Sequence, residues 1–179
     1  MTIEPVTAAD IDSFIEYLND HLADNGVGDR YFQPMPKGTS RVLPQMEDAF
    51  RAGLGIHVGK AGWRQVWVAR NSGRKIIGHI DLRSRPEPFS EHRCLLGMGV
   101  DRDHRKSGLG TALLSHAVRW ATEIARLEWI DLQVLSGNEP AIRLYLRAGF
   151  IKTGELPEMF RIDGQSLSYT SMSKRLTAT

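Results

Sequence analysis

Val100-Asp101-Arg102-Asp103-His104-Arg105-Lys106-Ser107-Gly108-Leu109-Gly110-Thr111 separates an apolar run from a long helical pattern. Upstream, Cys94 to Val100 reads as a buried strand; downstream, Leu109, Leu113, Ala117, Trp120 and Ile124 recur at helical spacing. Between them stands a polar turn that carries two glycines. The first turn of a helix has unpaired backbone N–H groups and a partial positive charge, and glycine leaves room for an anion to come close. Arg105 and Lys106 add positive charge at the same place. The stretch therefore predicts a phosphate cradle. It is not a Walker loop, because Gly110 is followed by Thr111-Ala112 without a lysine, nor a dinucleotide fingerprint, because Leu113 stands where a third glycine is needed.

Composition narrows the classes around this cradle. A chain of 179 residues, 41% of them hydrophobic, suits one domain over residues 1–179 with an ordinary core. Twenty-three basic residues against 21 acidic ones leave a net charge of +2, a mixed surface unlike that of a dedicated nucleic-acid binder. The one cysteine, Cys94, sits inside the apolar strand, which excludes an internal disulfide framework and suits a reducing, cytoplasmic setting. No run approaches the ~18 apolar residues of a membrane span. The six histidines show neither His-x-x-x-His nor a cysteine pair, so no metal site is expected, and no Gly-x-Ser-x-Gly elbow occurs.

In chain order, Thr2 to Val6 alternates as a first strand, with Thr7 as the N-cap of a helix whose apolar face is Ile11, Phe14, Ile15 and Leu18. From Gly26 to Leu43 the chain is an aromatic-bearing loop, and a second helix runs from Pro44 to about Leu54. Val66, Val68 and the Ile76 to Ile80 run predict strands joined by a turn at Asn71-Ser72-Gly73-Arg74, so the middle of the chain is a three-stranded antiparallel meander ending at Val100. A helix from Ser107 to Arg126 and a strand from Trp129 to Val134 then form a right-handed parallel crossover. A sixth strand starts at Phe150, and a final hairpin turns at Asp163-Gly164. Mixed order of this kind opens a gap at the strand ends, with the cradle at its mouth.

Asn138-Glu139-Pro140-Ala141-Ile142-Arg143-Leu144-Tyr145-Leu146-Arg147-Ala148-Gly149-Phe150 is the second informative stretch, a helix with Asn138 as N-cap and Gly149 at its end. Together with Arg105-x-x-Gly108-x-Gly110, and with a strand between, it resembles the GNAT superfamily of acyl-CoA-dependent N-acyltransferases. The resemblance runs from about residue 2 to 175. It implies an α+β fold: a mostly antiparallel sheet of six to seven strands with one central parallel crossover, flanked by about four helices. It also implies acetyl-CoA as cosubstrate, with Arg105, Lys106, Ser107, Gly108, Leu109, Gly110 and Thr111 around the pyrophosphate of coenzyme A. Met98, Gly99 and Val100, on a strand splayed from its neighbour, would pair with the pantetheine arm, and Asn138 would touch the cofactor. Tyr145 matches the tyrosine that contacts the cofactor and protonates the departing thiolate.

An amine that attacks a thioester must lose a proton. In the family branch that acetylates the N-terminal alanine of a ribosomal protein, a glutamate lies on the fifth strand twelve residues before the tyrosine; here Gln133 stands there and cannot accept that proton. Asp131 and Glu91 are the candidate bases, with Asp81 and His79 on other strands; a water relay, or no dedicated base for an amine of low pKa, are the alternatives. The acceptor, a small-molecule amine or a protein amine, is expected between the loop at Tyr31, Phe32 and Met35 and the returning segment at Glu158, Met159 and Phe160. Asp24, Asp29, Glu155 and Glu158 would attract a cationic amine. Neither nucleic acid nor membrane is expected as a partner, and the resemblance implies a homodimer. A non-catalytic CoA-binding regulatory module of the same fold is the second reading, motivated by Gln133 and opposed by Tyr145.

Overall fold

The apolar run before the cradle folds as strand β4, Arg93–Val100, and the sheet is built around it. The computed structural model describes residues 1–177. Before β4 come β1 (Thr2–Pro5), α1 (Ile11–Ala23), a 3-10 turn at Val27–Asp29, α2 (Pro44–Gly53), β2 (Arg64–Arg70) and β3 (Ile76–Ser84). After it come a 3-10 turn at Arg102–His104, α3 (Leu109–Glu123), β5 (Trp129–Leu135), α4 (Glu139–Arg147), β6 (Ile151–Ile162) and β7 (Gln165–Arg175). The seven strands lie in the order β1-β2-β3-β4-β5-β7-β6, antiparallel throughout except for β4 beside β5. The expected mixed sheet with one parallel crossover and four helices is the observed fold.

Strand alternation sends β4 side chains to two faces, and each face acquires its own helix layer. Cys94 and Leu96 pack with Ile80, Leu82, Ile130 and Leu132 against Leu109, Leu113, Leu114, Ala117 and Ala121 of α3, joined by Ile142 and Tyr145 of α4. On the opposite face Phe14 and Leu18 of α1 and Phe50 of α2 cover Val66, Val68 and Ile76. Each fully buried leucine or phenylalanine contributes about 1.5–3 kcal/mol, so the two layers together hold the sheet. Among the described residues no helix is long and apolar enough to cross a membrane.

Three local expectations change. Helix α3 starts at Leu109 and not at Ser107, because Gly108, at φ +84°, has a left-handed backbone that cannot belong to a right-handed helix. Thr7 does not cap α1; its N–H and hydroxyl both donate to Asp10 Oδ2, at 3.1 and 2.6 Å, and Asp10 is the residue that precedes the helix. Strand β6 is long, and its residues from Ile151 to Met159 are exposed, so it carries no burial alternation from which its length could be read.

Candidate functional site

From Arg105 through Thr111, no backbone N–H donates to an acceptor among the described residues; the first helical bond is Ala112 N–H to Gly108 O, at 3.1 Å. Two residues shape this run. Lys106, at φ +63°, and Gly108 both take left-handed backbone, which costs energy at a lysine and none at a glycine. A Cβ at Gly108 would meet nothing within 4 Å, so the glycine serves conformation, whereas at Gly110 a Cβ would come within 3.2 Å of Leu144 and 3.6 Å of Met98. Gly110 therefore lets α3, α4 and β4 close on one another. Asp101 pins the start of the turn: its carboxylate accepts from Asp103 N–H and sits 3.0 Å from His104 Nδ1. Burial alone would raise the Asp101 carboxyl, but those hydrogen bonds and the nearby Lys75 outweigh it and hold it low.

β4 pairs with β5 at Arg93, Cys94 and Leu95 only, while its other edge stays paired with β3 as far as Val100. From Leu96 onward the two parallel strands therefore diverge, and the β5-facing peptide groups of Met98, Gly99 and Val100 are left without a strand partner. The gap opens directly onto the cradle. On the α1 side of the sheet β4 is bare, because Gly97 and Gly99 point that way. A Cβ at Gly99 would meet His21 Nε2 at 2.5 Å and His79 Cε1 at 2.7 Å; one at Gly97 would meet Asp81 Oδ1 at 2.5 Å. Glycine at these positions brings α1 and β3 side chains onto the backbone of β4 itself.

A family model described as "Acetyltransferase (GNAT) family" matches residues 37–150, which contain the splayed strand, the cradle and α4. The chain belongs to the GNAT acetyltransferase family. It is 27% identical over 104 residues to the N-terminal acetyltransferase A complex catalytic subunit NAA10 of Arabidopsis thaliana, covering 58% of this chain and 54% of that one. It is 28% identical over 75 residues to the L-amino acid N-acetyltransferase AaaT of Escherichia coli, covering 42% and 46%. The chain thus spans about half the length of these curated relatives. A GNAT-family acetyltransferase from Streptococcus pneumoniae has the same fold, with a TM-score of 0.81 at 20% identity over 98% of this chain and 99% of that one.

On this GNAT frame the residues singled out in the sequence separate into groups. Arg105 is at the cradle but faces α1, with Nη2 2.8 Å from Asp24 Oδ2, in a cleft of about 220 Å³ that also includes Arg30, Phe32 and Arg102. Tyr145 is buried on α4 with its ring 5.7 Å from Phe150, and its hydroxyl makes no hydrogen bond among the described residues. Burial pushes that phenol up, so it keeps its proton at neutral pH. Asn138 caps α4, its side chain accepting from Ala141 N–H at 3.4 Å. Gln133 is exposed on β5, paired with Ser171 of β7 but beyond the stretch that pairs with β4.

Both carboxylates named as candidate bases lie in settings that argue against that role. Glu91 precedes β4, at the end remote from the cradle; the seven steps from Arg93 to Val100 at ~3.3 Å each put it roughly 20 Å from Val100. It lines a separate cleft of about 260 Å³ with Lys60, Trp63 and Pro86. Asp131 is buried and fully engaged: it accepts from Arg93 at 2.9 and 2.6 Å, Arg85 at 3.0 Å and Ser173 at 2.7 Å. Burial would raise it, but the Arg93 and Ser173 bonds and the two arginine charges hold it below its usual value. A carboxylate so held is a poor proton acceptor and fastens β4, β5 and β7 together instead.

Of the expected acceptor residues, Tyr31 is buried and donates its hydroxyl to Asp163 Oδ2 at 2.6 Å, tying the loop after α1 to the β6–β7 turn. Phe32 lies with its ring 4.8 Å from that of His21, and Met159 is exposed on β6. His21 is a residue that sequence reasoning missed. It is buried between Tyr17, Phe32, His79 and Gly99, and its Nδ1 has no hydrogen-bond partner. Burial, then the Arg105 charge, draws it down to about 4, and burial holds His79 well below its usual range. The available signal was its helical spacing from Phe14, Tyr17 and Leu18, which places all four on one face of α1.

Proposed function

We propose that this protein transfers an acetyl group from acetyl-CoA to an amine, with Tyr145 as general acid. The observation that carries the reading is the run of unpartnered N–H groups from Arg105 to Thr111 at the open end of the β4–β5 gap. That run fits a pyrophosphate: several donors converge where the α3 dipole is positive, and Lys106 adds charge. The free edge at Met98 to Val100 suits an extended amide-bearing arm, which would complete the hydrogen bonding of a strand left without a neighbour. Acetyl-CoA would supply an activated acyl carbon.

The chain's own groups then have defined tasks. A peptide N–H of β4 in the gap can steady negative charge on the thioester oxygen. The amine nitrogen forms a bond to the acyl carbon as the carbon–sulfur bond breaks, and the thiolate takes the Tyr145 hydroxyl proton. The amine loses one proton, which returns the tyrosine to its neutral form through solvent. Support for Tyr145 comes from its place on α4, whose neighbouring Leu144 touches Gly110, and from a hydroxyl that no other group occupies.

Thiol release from acetyl-CoA in the presence of an amine panel tests the transfer. Release with at least one amine is expected. CoA binding with no release under any amine would favour a binding module of the same fold.

A further inference from the structure

We infer that the sheet surface beside Gly97 selects an acceptor bearing a carboxylate next to its amine, a free α-amino acid, with Arg64 and Arg83 holding the carboxylate and Asp81 the amine. This rests on the acetyl transfer proposed above and names its substrate class.

Arg64, Arg83, Arg85 and Arg93 stand on this side of the sheet, and they are unequally used. Arg85 is spent on Glu87 and Asp131, and Arg93 on Asp131. Arg83 makes a single hydrogen bond, from Nη1 to Asp81 Oδ2 at 3.0 Å. Arg64 makes none among the described residues: its Nε stays 3.9 Å from Asp81 Oδ2, its guanidinium lies 4.0 Å over the Phe50 ring, and its side chain is only 13% exposed. A guanidinium carries five N–H donors, and those of Arg64, which reach solvent and have no hydrogen-bond partner among the described residues, are open to an anionic group. The Phe50 ring holds it flat and in place beforehand.

Asp81 supplies the opposite charge. It is 4% exposed; Oδ2 faces the two guanidiniums, while Oδ1 makes no hydrogen bond among the described residues and stands over the bare backbone at Gly97. Gly97 is one residue before the stretch of β4 assigned to the arm of the cofactor. Thus a carboxylate oxygen lies one residue along β4 from the edge assigned to the arm, and two underused cations flank it on the side away from the cradle. Two guanidiniums against one carboxylate leave one positive charge. A zwitterion satisfies all three groups, whereas a polyamine would set its second cation against the arginines.

The test is calorimetric titration of the CoA-saturated protein with L-methionine, L-phenylalanine and L-glutamate, with the matched decarboxylated amines, and with dipeptides of the same residues. The amino acids should bind at least about tenfold more tightly than their amines. Arg83→Gln and Arg64→Gln should each abolish most of that difference while leaving the CoA affinity within about twofold; Arg64→Lys, which keeps the charge and the packing, covers a fold defect in Arg64→Gln and should lose about as much. Amino acids no tighter than amines, or unchanged discrimination in both Arg83→Gln and Arg64→Lys, would overturn the inference. Dipeptides binding as well as amino acids would also overturn it, in favour of a peptide N-terminus. Binding is read without turnover, so amino-acid selectivity with no thiol release sinks the transfer and keeps the clamp, and turnover on amines without selectivity sinks the clamp alone.

Discussion

Arg105 Nη2 lies 2.8 Å from Asp24 Oδ2, and the same guanidinium sits 5.9 Å from the centre of the Phe32 ring. One side chain thereby joins the turn before α3 to the end of α1 and to the aromatic loop. Its positive charge is partly neutralised by Asp24, which competes with any anion in the cradle. Asp24→Asn should therefore tighten CoA binding about two- to fivefold, in keeping with the worth of a half-exposed ion pair. Reversing the charges of Arg105 and Lys106 should weaken it by tenfold or more at low salt, where screening is least. Titration calorimetry at two salt concentrations checks both; an affinity that ignores these changes would remove Arg105 and Lys106 from the cofactor site.

Tyr145→Phe keeps the ring that packs against Phe150 and removes only the hydroxyl. Turnover should fall by about 10²-fold, the usual scale for a lost general acid, while the CoA affinity changes little. Full activity in the variant would exclude the tyrosine as acid.

Gly99→Ala puts a methyl group 2.5 Å from His21 Nε2 and 2.7 Å from His79 Cε1. The expected loss of stability is about 1–3 kcal/mol, the cost of overpacking a filled site. Adding His21→Ala should recover part of it, because neighbouring substitutions couple. Urea unfolding of the two single variants and the double one measures the coupling; strict additivity would place the clash elsewhere.

Asn25 is fully buried and holds the loop after α1 in shape. Its Nδ2 donates to Gln33 O, Met35 O and Ser40 Oγ at 3.1, 2.9 and 3.0 Å, and its Oδ1 accepts from Phe32 and Gln33 N–H at 2.9 and 3.0 Å. Asn25→Ala strands buried backbone groups and should cost about 2–4 kcal/mol, seen as a melting temperature lower by roughly 5–12 °C. Since the loop carries Tyr31 and Phe32, the KM for the amine should rise more than that for acetyl-CoA.

His21 titrates at about 4 in the folded chain, drawn down by burial and the Arg105 charge, against about 6.5 when unfolded. Between those values the unfolded chain binds the proton and the folded chain does not. Stability is therefore full above pH ~6.5 and falls as pH drops towards ~4, by about 3 kcal/mol from this group. His79 acts in the same direction. His21→Gln should flatten the slope of unfolding free energy against pH across this window, and a slope equal to that of the parent would assign it to other groups.

Much of the fold was readable because local signals agreed. The helical spacing after Gly108, the turn at Asp163-Gly164 and the capped α4 each correspond to an observed element. The turn before α3 was readable for a related reason: its glycines and unpaired peptide groups are consecutive, so a short stretch of sequence contains the whole of the proposed cradle. The settings of Asp131 and Glu91 were not readable, because a carboxylate's usefulness depends on its partners and its place in the fold. Nothing near Asp131 in sequence announces Arg85, Arg93 and Ser173, which come from three other segments.

The stretch from Val100 to Thr111 holds the proposed donor half of the site within one segment, since glycine conformation and unpaired helix N–H groups follow from local sequence. The proposed acceptor half has no such continuity. Arg64, Asp81 and Gly97 come from three strands and Phe32 from the loop after α1, and each is commonplace where it stands in the chain. Pairing register places Asp81 opposite Gly97 and His79 opposite Gly99. A shift of one residue would send all of them to the α3 face. That choice depends on which face of the whole sheet each helix covers, a question settled by burying two apolar layers at once and not by any short stretch.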